Sequence, residues 1–470
     1  MIQFGTGGWR AVIGDGFTKA NVQLLTAALA RKMKDEGADA AGFVVGYDRR
    51  FLSVEAARWA AEVMAGEGIP CKLVNREAPT PLIMFTVKYY EMHYGMAVTA
   101  SHNPAIYNGI KVFVRGGRDA DETVTAEIER YIAATDPASV HPVPYEQALA
   151  EGLVEEINPQ NPYLDSIIRG INMDAIRSRG LKIILDPMYG VSKTSLQTIL
   201  LTARCDVDVI HDRHDTLFGG RLPAPNMETL GTLRNTVLER KADIGIATDG
   251  DADRLGIIDD KGAFVHPNQI LVILYYYLLK YKGWHGAAVR NIATTHLLDK
   301  VAAAFGEQCY EVPVGFKHIS AKMLETNAVI GGESSGGLTV RGHIQGKDGI
   351  YAASLLVEML AVTGKKLSEI YEEIVREYGR LVMAERDYRF PPQRKAEIVK
   401  LLLEDKKLPE FPCATRRVSY LDGCKVYFEN GGWIIARFSG TEPLIRIFCE
   451  MEDGDQAGRI CDIMKDFLGL

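Results

Sequence analysis

The 470-residue sequence has few cysteines and no long apolar run. These two features argue against an oxidising compartment and against a membrane-spanning protein. Its seven cysteines are scattered and form no C-x-x-C pair, which is typical of a reducing compartment and argues against a structural zinc site. No run reaches the ~20 apolar residues of a membrane-spanning helix; the longest candidate is 270–279. The first ten residues do not resemble a signal peptide. We therefore expect a cytoplasmic protein without membrane contact.

Excess positive charge and nucleotide-binding motifs are also absent. The net charge is −7 and the lysines and arginines are spread along the chain, which argues against a dedicated nucleic-acid binder. There is no P-loop, and Gly5-x-Gly7-x-x-Arg10 departs from the dinucleotide fingerprint at its last position. We expect neither ATP nor NAD as a ligand.

The patterns that are present predict an α/β protein of several domains. Apolar strands alternate with amphipathic helices over most of the chain, and the length suits roughly three or four domains of ~100–150 residues. Three prolines lie between 136 and 144, and near 373 the pattern changes to that of a smaller α+β unit. Both features suggest domain boundaries. The predicted domains are three α/β units and a smaller α+β unit, at 1–150, 151–262, 263–372 and 373–470.

The first polar loop lies between two apolar runs, 96–99 and 110–114. It contains Ser101-His-Asn-Pro104, and Asn108-Gly109 is a strong hairpin signal, so we expect a turn there. A serine at the start of a loop whose backbone is restrained by Pro104 suits a covalent intermediate. The same residues are also ordinary turn formers. If the two runs pair, Lys111 returns alongside Ser101, on the opposite face from its apolar neighbours.

The second loop, 248–256, carries three carboxylates at alternate positions. Asp249, Asp251 and Asp253 follow one predicted strand and precede another, and they concentrate a negative charge that a hard cation would offset. An EF-hand is excluded because Arg254 stands where glycine is required and because strands flank the loop. A turn of three acids without a ligand remains an alternative.

The third loop, Gly331-Gly-Glu-Ser-Ser-Gly-Gly337, fits the G-x-S-x-G pattern of serine hydrolases. That motif must be followed by a helix, but 338–340 is predicted to be a strand. The catalytic triad also needs a later histidine, and the only one, His343, is too close to the serine. We reject the hydrolase interpretation.

The fourth loop, Arg437-Phe-Ser-Gly-Thr-Glu-Pro443, follows a predicted strand at 433–436. An arginine, two hydroxyl groups and a glycine in one turn can surround a phosphate with side-chain and backbone donors. An ordinary polar turn with a surface arginine is the alternative.

In this order, the four loops resemble those of the α-D-phosphohexomutases, which include phosphoglucomutases, phosphomannomutases and phosphoglucosamine mutases. The resemblance rests on Thr99-Ala-Ser-His-Asn-Pro104 with Asn108-Gly109 and Lys111, on the three aspartates with Arg254, and on the two later loops. It spans about residues 4 to 446. It implies four domains around a central cleft, the first three being similar α/β units.

The resemblance also implies a reaction. Phosphorylated Ser101 would donate its phosphoryl group to the 6-hydroxyl of a hexose 1-phosphate. The resulting hexose 1,6-bisphosphate would turn around in the cleft and return its 1-phosphoryl group to Ser101. Mg²⁺ would be bound by Asp249, Asp251, Asp253 and an oxygen of the phosphorylated Ser101.

Roles for the remaining positions are likewise implied by the resemblance. The implied catalytic residues are Ser101, Lys111, Arg10, His102 and Arg254, and the implied substrate contacts are Lys317, His318, Glu333, Ser335, Arg437, Ser439, Gly440 and Thr441. Lys111 matches the position proposed for general acid/base work, which would need neighbouring cations to depress its pKa. His102 either transfers a proton or orients the serine phosphate, and we favour the second role.

Hexose phosphates are the expected ligands, with glucose as the first choice of sugar. A phosphomannomutase or an enzyme of dual specificity is the second choice. A phosphoglucosamine mutase is the third, on the condition that the loop around Glu333 tolerates an amino group. Relatives often carry a second glutamate where this chain has Ser334, so the choice of sugar stays open. Two other classes stay open: a catalytically silent protein that binds sugar phosphates, and a metal-dependent phosphatase that uses Ser101. A monomer and a homodimer are both compatible with the sequence.

Overall fold

The computed structural model of the protein describes residues 2–5, 7–438 and 444–470. These residues form four sheets, three of mixed strand direction and one that is antiparallel. Helices pack on all four sheets, and the fourth sheet belongs to a smaller unit at the carboxyl end of the chain. The predicted division into three α/β units and one α+β unit agrees with this arrangement.

Domain I contains the first sheet, in the order β1-β5-β4-β2-β3-β7 with β6 beside β5. Its strands are β1 (Trp9–Val12), β2 (Phe43–Tyr47), β3 (Cys71–Val74), β4 (Tyr94–Val98), β5 (Tyr107–Val114), β6 (Arg118–Asp119) and β7 (Val154–Ile157), and its helices are α1 (Lys19–Asp35), α2 (Ser53–Gly66), α3 (Thr80–Tyr89), α4 (Glu122–Ala134) and α5 (Tyr145–Ala150). Because β7 pairs with β3, this sheet takes in a strand beyond residue 150, where the sequence predicts the first boundary.

Domains II and III contain sheets of the orders β12-β11-β10-β8-β9 and β14-β13-β15-β16. The elements of domain II are α6 (Gln160–Gly170), α7 (Met173–Arg177), β8 (Lys182–Asp186), α8 (Lys193–Thr202), β9 (Asp206–Val209), α9 (Gly231–Arg240), β10 (Ile244–Thr248), β11 (Leu255–Ile258) and β12 (Phe264–Val265). Those of domain III are α10 (Pro267–Lys280), β13 (Ala288–Asn291), α11 (Leu297–Ala304), β14 (Cys309–Val312), α12 (Phe316–Thr326), β15 (Ile330–Gly332), β16 (Leu338–Val340), α13 (Gly349–Thr363) and α14 (Leu367–Tyr378).

Domain IV is a five-stranded antiparallel sheet in the order β17-β21-β20-β19-β18. Its elements are β17 (Val382–Arg389), α15 (Lys395–Val399), β18 (Thr415–Ser419), β19 (Cys424–Phe428), β20 (Trp433–Phe438), β21 (Leu444–Met451) and α16 (Gly454–Leu468). An apolar cluster of Ile292 and Ala293 with Tyr427, Trp433 and Ile435 joins this domain to domain III.

One four-strand arrangement recurs in the first three domains. In each, two parallel pairings are followed by one antiparallel pairing: β3-β2-β4 and then β5, β9-β8-β10 and then β11, and β14-β13-β15 and then β16. The loop inside each antiparallel pair is one of the first three polar loops selected from the sequence. A repeat of strand order, without a repeat of sequence, therefore puts these loops at equivalent sheet edges.

The turn predicted at Asn108-Gly109 is wrong, because both residues lie inside β5. The Asn108 side chain donates a hydrogen bond to the main-chain oxygen of Phe51. A Cβ on Gly109 would lie 2.2 Å from the main-chain oxygen of Trp9, on the neighbouring strand β1. The two residue types are therefore needed for contacts between elements rather than for a hairpin turn.

The longest apolar run of the sequence lies in the protein core. Residues 270–279 belong to α10 and are buried, as expected for a helix that is apolar on all sides. In the described parts of the chain, no helix combines the length and the apolar character needed to cross a membrane.

Candidate active site

A cleft of about 800 Å³ lies where the four domains meet. Every domain contributes at least one cationic side chain to its described lining: Arg10 and Lys111 from domain I, Arg254 from domain II, Lys347 from domain III, and Arg437 and Arg446 from domain IV. A concave site with so many positive charges attracts anionic ligands such as phosphates.

Ser101 lies in the loop between β4 and β5, next to His102, which lines the cleft. Its side chain is buried, and its Oγ donates a hydrogen bond of 2.8 Å to Oδ2 of Asp249. Nδ1 of His102 lies 3.3 Å from the same Oγ. The backbone φ of Ser101 is 52°, in the left-handed region, which costs a non-glycine residue ~1–3 kcal/mol. The surrounding structure must therefore hold the serine in place.

Arg50, in the bend that follows β2, holds the serine loop in place. Its guanidinium group is buried and donates to four main-chain oxygens of the serine loop, those of Ser101, Asn103, Pro104 and Tyr107. Five donors in one rigid plane allow an arginine to make such a set of bonds. The role of Arg50 is not predictable from the sequence, since nothing in the pattern at 48–50 shows which loop the arginine contacts.

The three aspartates lie in the loop between β10 and β11, and all three are buried. One oxygen from each lies within 4.8 Å of the others. Two side chains of domain I donate hydrogen bonds to these aspartates. Oγ1 of Thr80 donates to Oδ2 of Asp251, and Nζ of Lys111 donates to Oδ2 of Asp251 and Oδ2 of Asp253; all three distances are 2.7 Å. Residues that are some 140 positions apart along the chain, such as Lys111 and Asp251, therefore form one centre.

This group of carboxylates fits a hard divalent cation. Oδ1 of Asp251 and Oδ1 of Asp253 are buried and accept no hydrogen bond within the described chain. Burial and the two neighbouring carboxylates raise the pKa of Asp249 well above its ordinary value. Clustered, buried carboxylate oxygens without donors are the ligands that Mg²⁺ uses in proteins.

Lys111 lies on the opposite face of β5 from Ile110 and Val112, as the strand alternation predicts. The depressed pKa that general acid/base work by Lys111 would need is not found in this structure. Burial works in that direction, but the ion pairs with Asp251 and Asp253 outweigh it and raise the pKa of Lys111 above its ordinary value. While it is paired with these carboxylates, Lys111 is a charged ammonium group.

The pKa of His102 is shifted in the opposite direction, downwards. The charge of Arg254, burial, and the charge of Arg10 together lower the pKa of His102 far below its ordinary value. The imidazole is therefore neutral at physiological pH. A neutral ring beside Ser101 Oγ can orient the hydroxyl group or accept its proton.

Two arginines at the cleft contact the first two loops: Arg10 of β1 contacts the serine loop, and Arg254 belongs to the aspartate loop. Nη1 of Arg10 donates a hydrogen bond of 2.6 Å to Oδ1 of Asn103, in the serine loop. The backbone N–H of Arg254 donates to Oδ1 of Asp249 at 3.0 Å. Two guanidinium groups thus lie beside the serine and the carboxylates, where a phosphoryl group on Ser101 would need positive charge.

Glu333 is the carboxylate of the third loop, and it faces the cleft. Its Oε1 accepts from the backbone N–H of Gly315 at 3.2 Å and from Nδ2 of Asn291 at 3.3 Å. Its Oε2 accepts from Oγ of Ser335 at 3.2 Å. The strand predicted after this loop is β16, so the rejection of the serine-hydrolase motif is confirmed.

Lys317 and His318 lie in the first turn of α12 and both pair with Glu122 of domain I, with 3.5 Å between His318 Nε2 and the carboxylate. The cleft is instead lined by Phe316, just before them. Arg437 lines the cleft. Ser439, Gly440 and Thr441 lie outside the described residues.

Two further charged side chains in the cleft were missed by sequence reasoning. Nζ of Lys347 lies 2.9 Å from Oδ2 of Asp253. Asp119, at the end of β6, also lines the cleft, and burial raises its pKa although Lys347 and Lys111 oppose the shift. Neither residue belongs to a recognisable motif, and only the packing of the domains brings them to the site.

Comparison with known proteins gives matches along the whole chain. The four phosphoglucomutase/phosphomannomutase family models match in order: α/β/α domain I over residues 1–139, α/β/α domain II over 161–262, α/β/α domain III over 266–378 and the C-terminal domain over 398–467.

Two relatives show the range of names among similar proteins. A phosphoglucomutase/phosphomannomutase from Thermococcus kodakarensis is 30% identical over 456 residues, which cover 97% of this chain and 95% of that protein. A phosphoglucosamine/phosphogalactosamine mutase from Sulfurisphaera tokodaii is 28% identical and covers 83% of each chain.

Solved structures share the fold. A crystal structure from Thermus thermophilus, provisionally named a phosphomannomutase, matches with a TM-score of 0.87 and 29% identity over 100% of this chain and 99% of that one. An N-acetylphosphoglucosamine mutase from Aspergillus fumigatus, in complex with GlcNAc-6P and magnesium, matches in fold with a TM-score of 0.56 and 15% identity over 100% and 96% of the two chains. A serine-to-alanine variant of that mutase was solved in complex with glucose 1,6-bisphosphate.

Proposed function

Because the chain belongs to the phosphoglucomutase/phosphomannomutase family and is an enzyme of the isomerase class, we propose that it interconverts hexose 1-phosphates and hexose 6-phosphates, with glucose as the preferred sugar. The observation that carries the proposal is the buried contact of 2.8 Å between Ser101 Oγ and Asp249 Oδ2. It joins a hydroxyl that can carry a phosphoryl group to a group of carboxylates that fits a cation.

The proposed first half-reaction transfers a phosphoryl group from Ser101 to the sugar. The 6-hydroxyl oxygen attacks phosphorus and forms a new P–O bond, while the bond between phosphorus and Ser101 Oγ breaks. The sugar hydroxyl group loses one proton and Ser101 Oγ gains one, so the half-reaction moves a proton from the attacking oxygen to the leaving oxygen and releases none overall. After the 1,6-bisphosphate has turned around, the same steps in reverse return the 1-phosphoryl group to Ser101.

The cationic side chains are proposed to stabilise the charge of the transferring group. Arg10 and Arg254 lie beside the serine and aspartate loops. Lys111, held as an ammonium by two carboxylates, is a poor proton acceptor, so we propose an electrostatic role for it. Neutral His102, 3.3 Å from Ser101 Oγ, is the group that we propose orients the hydroxyl.

Asp249, Asp251 and Asp253, with an oxygen of phosphorylated Ser101, are the proposed ligands of Mg²⁺. When bound, the ion would act as a Lewis acid that offsets the negative charge of the phosphoryl group. The orphaned, buried carboxylate oxygens support this assignment. The fungal mutase of the same fold was crystallised with magnesium.

The sugar and its second phosphate are proposed to lie between domains III and IV. Glu333 is held by three donors and accepts hydrogen bonds, which suits contact with sugar hydroxyl groups. Ser335 is proposed to join it. Arg437, with Ser439, Gly440 and Thr441 of the same loop, is proposed to bind the phosphate that is not transferred. Lys317 and His318 are proposed to contact the substrate from α12, which requires that they exchange their ion pairs with Glu122 for the ligand.

A hexosamine phosphate is the second candidate substrate. Asp119 and Glu333 both line the cleft, and two carboxylates could accept hydrogen bonds from the ammonium group of an amino sugar. The relative from Sulfurisphaera tokodaii is named for glucosamine and galactosamine phosphates. Mannose 1-phosphate, or activity on both glucose and mannose, is the remaining variant of the proposal.

The proposal is tested by turnover of glucose, mannose and glucosamine 1-phosphates with Mg²⁺ and a trace of glucose 1,6-bisphosphate. Conversion to 6-phosphates that is lost in Ser101→Ala supports the mutase and ranks the sugars. The absence of conversion of any sugar would favour a silent binder of sugar phosphates. If inorganic phosphate is released instead, it is a phosphatase.

A further inference from the structure

Asp422 lies at the boundary between domains III and IV and forms hydrogen bonds in both. Its Oδ1 accepts from Nε of Arg437 at 2.8 Å, and its Oδ2 accepts from the backbone N–H of Val314 at 2.9 Å. The carboxylate is largely shielded, with 22% of the side chain exposed. It therefore joins an arginine of the cleft in one domain to a loop of the cleft in the other.

The turn that carries Asp422 is built for this contact. Gly423 has a φ of +83°, and a Cβ at this position would lie 2.5 Å from the main-chain oxygen of Ala436. Glycine thus lets the turn before β19 lie against β20, the strand that ends with Arg437 and Phe438. The short distance between Asp422 and Arg437 follows from this close approach.

The partner of Asp422 in domain III belongs to a peptide turn that also holds Glu333. Val314 donates its N–H to Asp422, and the next residue, Gly315, donates its N–H to Glu333 at 3.2 Å. Two consecutive backbone donors therefore bind one carboxylate from each domain. This turn fixes the distance between the arginine of domain IV and the glutamate of domain III.

We propose that Asp422 is a positioning residue that sets the separation of the phosphate-binding and sugar-binding ends of the site. This inference rests on the proposed function, in which Arg437 binds the phosphate that is not transferred and Glu333 binds the sugar. A carboxylate on Nε fixes the plane of the guanidinium group, and a phosphate is recognised by donors in that plane. The substrate then meets an arginine that is already oriented, which lowers the cost of binding.

Loss of the carboxylate is expected to weaken binding of the phosphorylated sugar more than it slows the chemistry. In Asp422→Ala, Arg437 loses its orientation and the Val314 N–H loses its acceptor. We expect KM for the hexose phosphate to rise roughly 10-fold or more, the range for a charge-assisted hydrogen bond, and kcat to fall by a smaller factor. Asp422→Asn keeps one oxygen acceptor and should lie between the wild type and the alanine variant.

The test uses the full-length chain and measures binding as well as turnover. The dissociation constants of glucose 6-phosphate and of Mg²⁺ are determined by calorimetry for the wild type, Asp422→Ala, Asp422→Asn and the control Asp466→Asn, whose side chain is 77% exposed on the last helix. KM, kcat and the unfolding temperature are measured for the same proteins.

The expected result is weaker binding of glucose 6-phosphate in the order wild type, asparagine, alanine, with unchanged Mg²⁺ binding and an unchanged control. Wild-type affinity and KM in Asp422→Ala would overturn the inference. Equal losses of sugar phosphate and Mg²⁺ binding, together with a large fall in unfolding temperature in both variants, would also overturn it, because they indicate general damage. If the wild type binds glucose 6-phosphate but converts no sugar, the proposed function fails while the binding series still decides the role of Asp422.

Discussion

At the scale of single residues, the site depends on Ser101 being held in a conformation that a serine seldom adopts. Its φ of 52° is costly, but Arg50 binds four carbonyl oxygens of the loop and Thr99 Oγ1 accepts from the Ser101 N–H at 2.9 Å. Strain that is held by surrounding bonds at a reactive residue is a common feature of active sites. The serine is thus oriented before any substrate binds.

The aspartates provide the most direct prediction at this scale. Asp253→Asn removes one negative charge and replaces an orphaned carboxylate oxygen with a neutral amide, so Mg²⁺ affinity should fall roughly 10-fold or more. Calorimetric titration of Mg²⁺ into the purified variant and wild type measures this directly. Asp259→Asn, outside the three-residue group, is the matched control and should bind Mg²⁺ as the wild type does. Equal affinity of all three proteins would show that Asp253 is not a ligand.

Sequence reasoning found the reactive residue types but not their electrostatic state. Ser101, the three aspartates and Lys111 stand in motifs that can be read directly from the chain. The raised pKa of Lys111, in contrast, depends on contacts between domains I and II that no local pattern encodes. For the same reason, Arg50 and Lys347 could not be selected from the sequence.

At the scale of elements, the serine loop and the aspartate loop touch at a glycine. A Cβ on Gly250 would lie 2.8 Å from the main-chain oxygen of Ser101, closer than real contacts allow. The absence of a side chain at this position therefore brings Asp249 within hydrogen-bonding distance of Ser101. The spacing of the two loops is fixed by backbone contact.

Gly250→Ala is predicted to separate these loops. We expect kcat/KM for glucose 1-phosphate to fall roughly 100-fold, since small displacements of reacting groups have large effects on rate, with a much smaller change in unfolding temperature. Steady-state kinetics and thermal unfolding of the variant check both parts. Gly458→Ala, in α16 where an added Cβ meets nothing within 4 Å, is the control and should be active and slightly stabilised. Full activity of Gly250→Ala would contradict the account.

The elements themselves were largely predictable, and the failure at Asn108-Gly109 shows why some were not. The two strands predicted on either side of the aspartate loop are β10 and β11, and the strand predicted at 338–340 is β16. Asn-Gly forms a turn when only local preferences act. Here β1 lies so close that residue 109 must be glycine, and pairing with β1 keeps both residues in strand β5. Contacts with distant elements outweighed the local preference.

At the scale of the whole molecule, domains III and IV meet through a buried network of charges. Nζ of Lys425, on β19, donates to Oε2 of Glu311 at 2.9 Å and to the main-chain oxygen of Ile292 at 2.6 Å. Arg290 binds the same carboxylate oxygen at 2.7 Å. Two cations thus share one glutamate, so burial and the charge of Arg290 together lower the pKa of Lys425 to about 7.

This shift predicts a dependence of stability on pH. The ordinary pKa of lysine is 10.5, so between about pH 7 and 10.5 the unfolded chain binds a proton at Lys425 that the folded protein does not. Stability should therefore rise with pH across this window, whereas below pH 7 both states carry the charge and Lys425 adds no slope. In Lys425→Met this contribution disappears.

Urea unfolding of the wild type and Lys425→Met between pH 7 and 9.5 measures the difference. The control is Lys407→Met, whose side chain is 64% exposed and should leave the profile unchanged. Stability profiles of the wild type and Lys425→Met that run parallel across the range would show that Lys425 is charged in the folded protein.

The arrangement of four domains around one cleft was available from the sequence only through the family resemblance. Alternation of strands and helices predicts α/β units, but it does not show that β4–β5, β10–β11 and β15–β16 present their loops to a common space. The pairing of Asp422 with Val314 and the contact of Lys317 with Glu122 depend on how the domains pack.

The most direct test of the whole account is mass spectrometry of the peptide that contains Ser101, after the protein has been incubated with glucose 1,6-bisphosphate and Mg²⁺. The account predicts one added phosphoryl group on Ser101, which is lost when excess glucose 6-phosphate is added and is then recovered in the bisphosphate. Interconversion of hexose phosphates without phosphorylation of Ser101, or loss of the group as inorganic phosphate, would contradict transfer through this serine.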